Sequence, residues 1–527
     1  MPCLISIRLI FHNLNNSRCD FLSPAEVESI SAGGDFLRDC FANHILAEEQ
    51  LIQDRLMSIG KRTFLGFGLG PIQAGLFLYE AFVSNSFERL VVAEINPQIV
   101  SAIRKADGKF FINIAFHDHI ERKCVGPVDI FNPLDAEDRE KLISAVTEAN
   151  EIATAVPSVD YYVSEGEGSL HQILAAGLDR RITQDKPPVL IYAAENNINA
   201  AEILESAVLD AITPDIQSEA RNRFQFANTV IAKMSQTVHD KGEIERRDLA
   251  PITESYPSAF LVEVFNKILI SKIHLPEPFK RGISVFIEKE KGLIPFEEAK
   301  LYGHNATHAL IGFISSLKGY QMVQDITQDS GIKAFIEKAL IDESGKALIK
   351  KYQGFDPLFT EEGFNLFAED LIDRVFNPLL GDNIYRLTRD IQRKLGWDDR
   401  LIGTIRLCLG QGIIPHRYAF GVAAAIVALD PLILQERHRL PSLFDSIWRD
   451  APTTNVEKVQ IIKLTLSALD RLQNWINLSY PPLDDFFCRT CSAISKKIRG
   501  IESGGLVRCL NFFLGNGLVR MGDPLTD

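Results

Sequence analysis

Cysteine is scarce, with eight residues in a chain of 527, too few for a disulfide-stapled scaffold. One pair, Cys488 and Cys491, forms a CxxC in FFCRTC. A four-cysteine zinc site needs a second pair and a thioredoxin-like redox pair needs a βαβ setting, and neither accompanies it. The two are expected to be ordinary helical cysteines. Long apolar runs are also missing. The longest, AFGVAAAIVAL from Ala419 to Leu429, has 11 residues; a membrane span needs roughly 20, so this run reads as a buried helix. Basic blocks are absent as well: Lys+Arg is 56 against Asp+Glu 69, a formal net charge of −13. Nucleic acid, which needs clustered cations, is therefore not expected as a partner. The opening MPCLISIRLIFHNLNN has no small-residue cleavage site, so a cytoplasmic location is expected.

What is present is ordinary globular composition, 46% hydrophobic and 24% charged, which excludes disordered and collagen-like classes. Residues 1–60 read as a mostly helical extension, with Ser23 as N-cap and Pro24 at the first helical position. From residue 61 short apolar strands alternate with helices: strands at 62–67, 90–95, 110–116, 152–156 and 189–194, and helices at 71–83, 97–106, 136–150 and 169–181. That alternation predicts a Rossmann-like α/β domain over 61–255 with a mostly parallel sheet. Beyond 256 helical periodicity dominates, at 260–272, 297–317, 332–351, 360–375 and from 420 onward. A mostly α-helical substrate domain is expected over 256–480, with a C-terminal extension over 481–527.

Strand one runs into FLGFGLGPIQAGLF, where Gly66, Gly68, Gly70 and Gly75 crowd the turn into helix one. Glycines there let backbone approach a pyrophosphate at a helix N-terminus. Glu94 ends strand two, 24 residues after Gly70, where a carboxylate can accept from ribose hydroxyls and repel a 2′-phosphate. NAD is the cofactor this pattern predicts. The same residues also suit a tight structural turn and a solvated strand end. A regular GxGxxG starting at Gly68 would place glycine where Gln73 stands.

A second constellation is EAKLYGHNATH, ending at His308. On an α-helix, at about 100° per residue, Lys300 and His308 lie roughly 80° apart, and Asn305 about 140° from Lys300 and 60° from His308. A desolvated lysine can take a hydroxyl proton and an amide can stabilise an alkoxide, so alcohol oxidation without a metal is within reach of this set. By the same geometry His304 points about 100° away from Asn305 and is expected behind the site at best. Lysine and asparagine on a helix are equally at home in solvent.

GFGLGPIQAGLF, AEINPQIV, TAVPSV, YAAENN, KLYGHNATHALIGFISSLKGYQ, ESGKALIKKY and RVFNPLLGDNIYRLTRDIQRKLGWDDRL follow one another in this order. Together they resemble the polyol-specific long-chain dehydrogenases, the mannitol dehydrogenase family, over roughly residues 62–430. The resemblance implies zinc-independent, NAD-linked oxidation of a sugar alcohol in a cleft between two domains, with no metal site. It implies Lys300 as general base, Asn305 and Asn196 as alkoxide-binding amides and His308 as the substrate-positioning histidine. Arg386 and Lys394 would hold the far end of the substrate, and Thr154, Ala155 and Val156 would form a second cofactor-contacting loop beside Gly68, Gly70, Gly75 and Glu94.

The likeness of ESGKALIKKY and AAENN is to the phosphate-using branch, and YRLTRDIQRK adds Arg389 and Arg393 to Arg386 and Lys394. On a helix Arg386, Arg389 and Arg393 would share one face. The expected substrate pair is therefore mannitol 1-phosphate and fructose 6-phosphate. The alternatives are a free polyol, a sugar acid, or a cofactor-binding protein without activity. Three departures from the family pattern bear on this. Besides Gln73, they are Pro157 after TAV, and Ala232–Lys233 where an acidic residue and arginine are usual. A missing carboxylate at 232 would leave a neighbouring cation unpaired. His117 and His119 lack a third metal ligand, and His416 reads as a packed or capping residue. A monomer or weak homodimer acting on a small molecule is expected.

Overall fold

A computed structural model describes residues 62–277 and 279–489. The expected N-terminal helix at Ser23 and Cys491 of the CxxC lie outside the described residues. The fold is the expected one, a Rossmann-like α/β part followed by a helical part. The first strand, β1 (Thr63–Phe67), is buried at all five positions, as a strand covered on both faces must be. It pairs in parallel with β2 (Arg89–Ala93) on one side. Two further strands, β3 (Phe110–Ala115) and β4 (Ile120–Val125), form an antiparallel pair elsewhere. β5 (Asp129–Phe131) extends the first sheet beyond β2. On the other side of β1 come β6 (Ala149–Thr154), β7 (Val189–Ala193) and β8 (Phe224–Val230), all parallel. The order β5-β2-β1-β6-β7-β8 is the doubly wound arrangement, with its direction of growth reversing between β1 and β6.

Three later strands depart from expectation. Residues 260–272 are not a helix: they hold β10 (Ala259–Glu263) and β11 (Leu269–Ser271). β10 pairs with β3 and with β9 (Ser235–Val238), completing a second sheet of four strands. β11 and β12 (Ile287–Lys289) extend the first sheet past β8, so sheet structure runs beyond residue 255, to Lys289. β10 is buried at every position, and a continuous apolar run carries no period that separates strand from helix.

The first sheet has a core on each face. Leu65, Val91, Ile152 and Ile191 pack under helices 136–148, 170–183 and 200–211. Phe64, Val92, Ala153 and Leu190 face helix 73–83 and the second sheet through Phe110, Ile112, Phe260 and Val262. Helices then dominate from Ile294. The apolar run seen in the sequence is the helix His416–Leu429, buried from Tyr418 to Val427 in the centre of the largest core. Among the described residues no helix is long and apolar enough to cross a membrane.

Candidate active site

The glycine turn sits where the sheet order reverses. Gly68 has φ +82°, and a Cβ there would stand 2.8 Å from the carbonyl oxygen of Ala155. Only glycine meets both demands. The expected second loop, Thr154–Val156, therefore lies against the glycine turn. It is pinned from below by Glu195, whose carboxylate accepts from Thr154 Oγ1 at 2.8 Å, from the Val156 amide at 2.9 Å and from the Tyr162 hydroxyl. Beside Gly70 a Cβ would meet nothing within 4 Å, so the turn is open there to a close approach. Glu94 holds the turn as well as ending the strand: its oxygens accept from the amides of Leu69 at 2.7 Å and Asn96 at 2.8 Å. A carboxylate has about four acceptor sites, so both oxygens keep capacity for a further hydroxyl.

Gln73 stands where the regular pattern would have glycine, and it packs inward. Its side chain is fully buried against Gly66, where a Cβ would sit 1.7 Å from its amide nitrogen. Close packing of the helix falls to Gly75, where a Cβ would be 2.5 Å from Cγ1 of Val262 on β10.

Lys300 and Asn305 come together through a local feature absent from the spacing argument. Residues Ala299–Asn305 form a π-helical segment between the α-helical pieces Ile294–Glu298 and Ala306–Leu317. A π turn closes between i and i+5, which brings Lys300 and Asn305 one turn apart on one side. His308 follows three residues later in α geometry. The Lys300 ammonium donates to Oδ1 of Asn196, just beyond β7, at 2.8 Å. That bond joins the strand-end half of the site to the helical half and leaves the Asn196 amide N–H groups free to donate elsewhere. Burial lowers the Lys300 pKa to about 8, against the opposing pull of Glu297 and with a further push from Arg400. Glu297, one turn earlier, is raised to about 7 by burial.

Asn196, Lys300, Asn305 and His308 all line one cavity of about 260 Å³, with Ala232, His304 and Arg386. His304 is thus in the wall, not behind it. Its ring meets that of His308 edge to face at 4.6 Å. Burial depresses both imidazoles, His308 to about 4 and His304 well below its ordinary value, so both are neutral at working pH.

His308 and Arg386 also line a second cavity, of about 180 Å³, whose other charged walls are Arg389, Asp390, Arg393, Lys394 and Arg400. These cations are not on one helix face. Ile384–Thr388 and Ile391–Lys394 are separate short helices, broken by Asp390 at φ 54°. The break folds them round a common space instead. Arg386 pairs with the buried Asp382, and Arg400 with Asp399 at 2.8 Å. Lys394, 5% exposed, has no carboxylate within salt-bridge reach among the described residues and donates to the Arg389 carbonyl. Burial and the neighbouring Arg400 and Arg393 lower it to about 8.

The cation left beside Ala232 is not unpaired. Lys233 donates to the carbonyls of Glu263 and Phe265 and to Oδ1 of Asn266. Arg374, bidentate on Glu263 at 2.8–2.9 Å, takes the Ala232 carbonyl at 2.6 Å. The other histidines stand apart. His117 reaches Asp373 at 3.1 Å and His119 stacks on Phe116. His416 starts the buried helix and touches Arg471 at 3.2 Å. Sequence reasoning missed Arg400, Glu297 and Glu195. The first was masked by the adjacent Asp398 and Asp399, and the other two carry no spacing signal of their own.

Two family models match the chain: the mannitol dehydrogenase Rossmann domain over residues 62–277 and the mannitol dehydrogenase C-terminal domain over 292–430. The chain belongs to the mannitol dehydrogenase family. It is 29% identical over 366 residues to mannitol-1-phosphate 5-dehydrogenase of Geobacillus stearothermophilus, covering 68% of this chain and 86% of that one. It is 28% identical over 364 residues to the protein of that name from Caldanaerobacter subterraneus subsp. tengcongensis, covering 69% and 85%. The fold is shared with Pseudomonas fluorescens mannitol 2-dehydrogenase, solved as a ternary complex with NAD and D-mannitol, at TM-score 0.60 and 14% identity over 83% of this chain and 95% of that one. D-sorbitol dehydrogenase in substrate-free form gives TM-score 0.62 and 15% identity over 80% and 95%.

Proposed function

We propose that this chain is an NAD-dependent oxidoreductase that interconverts mannitol 1-phosphate and fructose 6-phosphate. The observation that carries the reading is the pair of cavities sharing His308 and Arg386: one is lined by half-buried Lys300 and the amides of Asn196 and Asn305, the other is walled by cations. A polyol phosphate has a secondary alcohol and a dianion separated by a short carbon chain, and the paired cavities match that layout. The curated relatives, named mannitol-1-phosphate 5-dehydrogenases, agree with it.

The strand-end residues fit a dinucleotide. Gly68 and the open side of Gly70 give backbone access, and Glu94 stands where ribose hydroxyls would be held. When bound, the nicotinamide supplies the hydride acceptor. The chain supplies the rest. Lys300, neutral in part near pH 8, takes the hydroxyl proton onto Nζ. The N–H groups of Asn196 and Asn305 hold the oxygen as charge grows on it. His308 fixes the carbon chain, and Arg386, Lys394 and Arg400 hold the phosphate by charge-assisted hydrogen bonds. All these groups come from one chain, consistent with a monomer or weak homodimer. A cytoplasmic location belongs to the same reading, since the charged cofactor and sugar phosphate do not cross membranes unaided.

The test is NADH formation with mannitol, mannitol 1-phosphate, other hexitols and sugar acids. The phosphate ester should give the highest kcat/KM. Higher efficiency with a free polyol or a sugar acid would move the substrate assignment; no turnover of any of them would remove the enzymatic reading.

A further inference from the structure

His304 has no part in the mechanism above, yet its place in the fold is unusual for a packing residue. It is 4% exposed and lies in the π-helical segment between Lys300 and Asn305. It lines the cavity of Lys300 but not the cation-walled one. Its Nδ1 is sealed from solvent and has no hydrogen-bond partner among the described residues; the same holds for Nε2 of His308 beside it. Leaving a buried polar atom unmatched is costly, and an unmatched N–H is rarer than an unmatched lone pair. The cheaper arrangement of the neutral ring therefore keeps the bare lone pair on the sealed Nδ1 and the proton on Nε2. Nε2 is not among the sealed atoms, which makes it the nitrogen able to face the cavity.

We propose that His304 is a specificity-determining residue of the substrate site, its Nε2–H donating to a substrate hydroxyl adjacent to the reacting carbon. The inference rests on the polyol phosphate reading above and deepens it. His308 and Arg386 line both cavities, so they stand where the carbon chain passes from the base to the phosphate. His304 lines only the cavity of the base, so its oxygen belongs to the reacting end. The wall around it includes Ala232, which has no polar side-chain atom, and Lys233, whose ammonium is engaged with three other oxygens. Among the described residues lining this cavity no carboxylate competes for that N–H. Lys300, Arg374, Arg400 and His308 all disfavour a charged imidazole, so the ring works as a neutral donor and its role does not change across the working pH range.

The test compares His304→Leu with His304→Gln. Leucine fills similar space without a donor; glutamine places an amide nitrogen at about the reach of Nε2. Steady-state constants for fructose 6-phosphate and its 1-deoxy and 3-deoxy analogues are measured beside NADH affinity by fluorescence and the melting temperature. His304→Leu should raise KM for fructose 6-phosphate roughly 10-fold, with NADH affinity unchanged, and His304→Gln should recover most of the loss. In the wild type one deoxy analogue should be penalised, and His304→Leu should erase that penalty. Wild-type KM in His304→Leu overturns the inference. So does an equal loss in both variants with a lower melting temperature, which would mark a packing role, or a deoxy penalty that survives in His304→Leu. Failure of the wild-type protein to turn over any hexitol phosphate is a different result: it removes the parent reading, and this inference with it.

Discussion

The Lys300 ammonium and the Asn196 side-chain oxygen are 2.8 Å apart, and that bond joins two parts of the chain 104 residues distant in sequence. It holds the Lys300 ammonium in place and leaves the amide donors of Asn196 free for another acceptor. Lys300→Ala should lower turnover by about 10² or more with NADH binding retained. Asn196→Ala should lower turnover too, and the double variant should lose less than the product of the two, because groups acting as one unit are not additive. Multiplicative losses in the double variant would show that the two act separately.

With Lys300 as the proposed base, the sign of the pH dependence is set. Polyol oxidation needs neutral Lys300 and should rise through about pH 8, while ketose reduction, which needs the ammonium, should fall over the same range. Glu297 raises the Lys300 pKa and Arg400 lowers it. Glu297→Gln should therefore shift the limb to lower pH and Arg400→Gln to higher pH. Profiles of kcat against pH in both directions test this; shifts in the same direction for both variants would contradict it.

Phosphate selectivity is expected to reside in the cation-walled cavity. Arg386→Ala, Lys394→Ala and Arg400→Ala should each reduce kcat/KM for mannitol 1-phosphate about 10-fold or more, a charge-assisted bond being worth roughly 1.5–3 kcal/mol. Activity on free mannitol should change much less. Arg386 is partly neutralised by Asp382, so Lys394, with no carboxylate in reach among the described residues, should show the larger selectivity loss. Equal losses on both substrates would place the phosphate elsewhere.

Cofactor preference is expected to follow Glu94. The wild type should favour NAD over NADP, since the carboxylate would repel a 2′-phosphate. Glu94→Gln should narrow the ratio of kcat/KM values while keeping an acceptor for the Leu69 amide. An unchanged ratio would show that Glu94 only ties the turn.

Gly75→Ala should destabilise the fold without touching the site's chemistry. The added Cβ would lie 2.5 Å from Val262 Cγ1, and overpacking of this kind costs about 1–3 kcal/mol. A fall in the denaturation midpoint with kcat near wild type is the expected pair of results.

The sequence by itself determined the α/β part, the place of the glycine turn and the residue types of the site. Short apolar strands between amphipathic helices leave few arrangements open, and Lys300, Asn305, His308 and Asn196 stand in motifs whose spacing is local. It could not distinguish a fully buried strand from a buried helix at 260–272, because a continuous apolar run has no period. Tertiary structure decided the rest. The π segment, not an α turn, sets Lys300 over Asn305 and brings His304 into the wall. The left-handed Asp390 breaks the expected arginine helix and folds its cations round one space. The pKa of Lys300 depends on burial and on charges up to 100 residues away. The first two are backbone conformations and the third is a relation between segments brought together by packing, where the cost of burying a charge is set by what surrounds it; linear spacing records none of them.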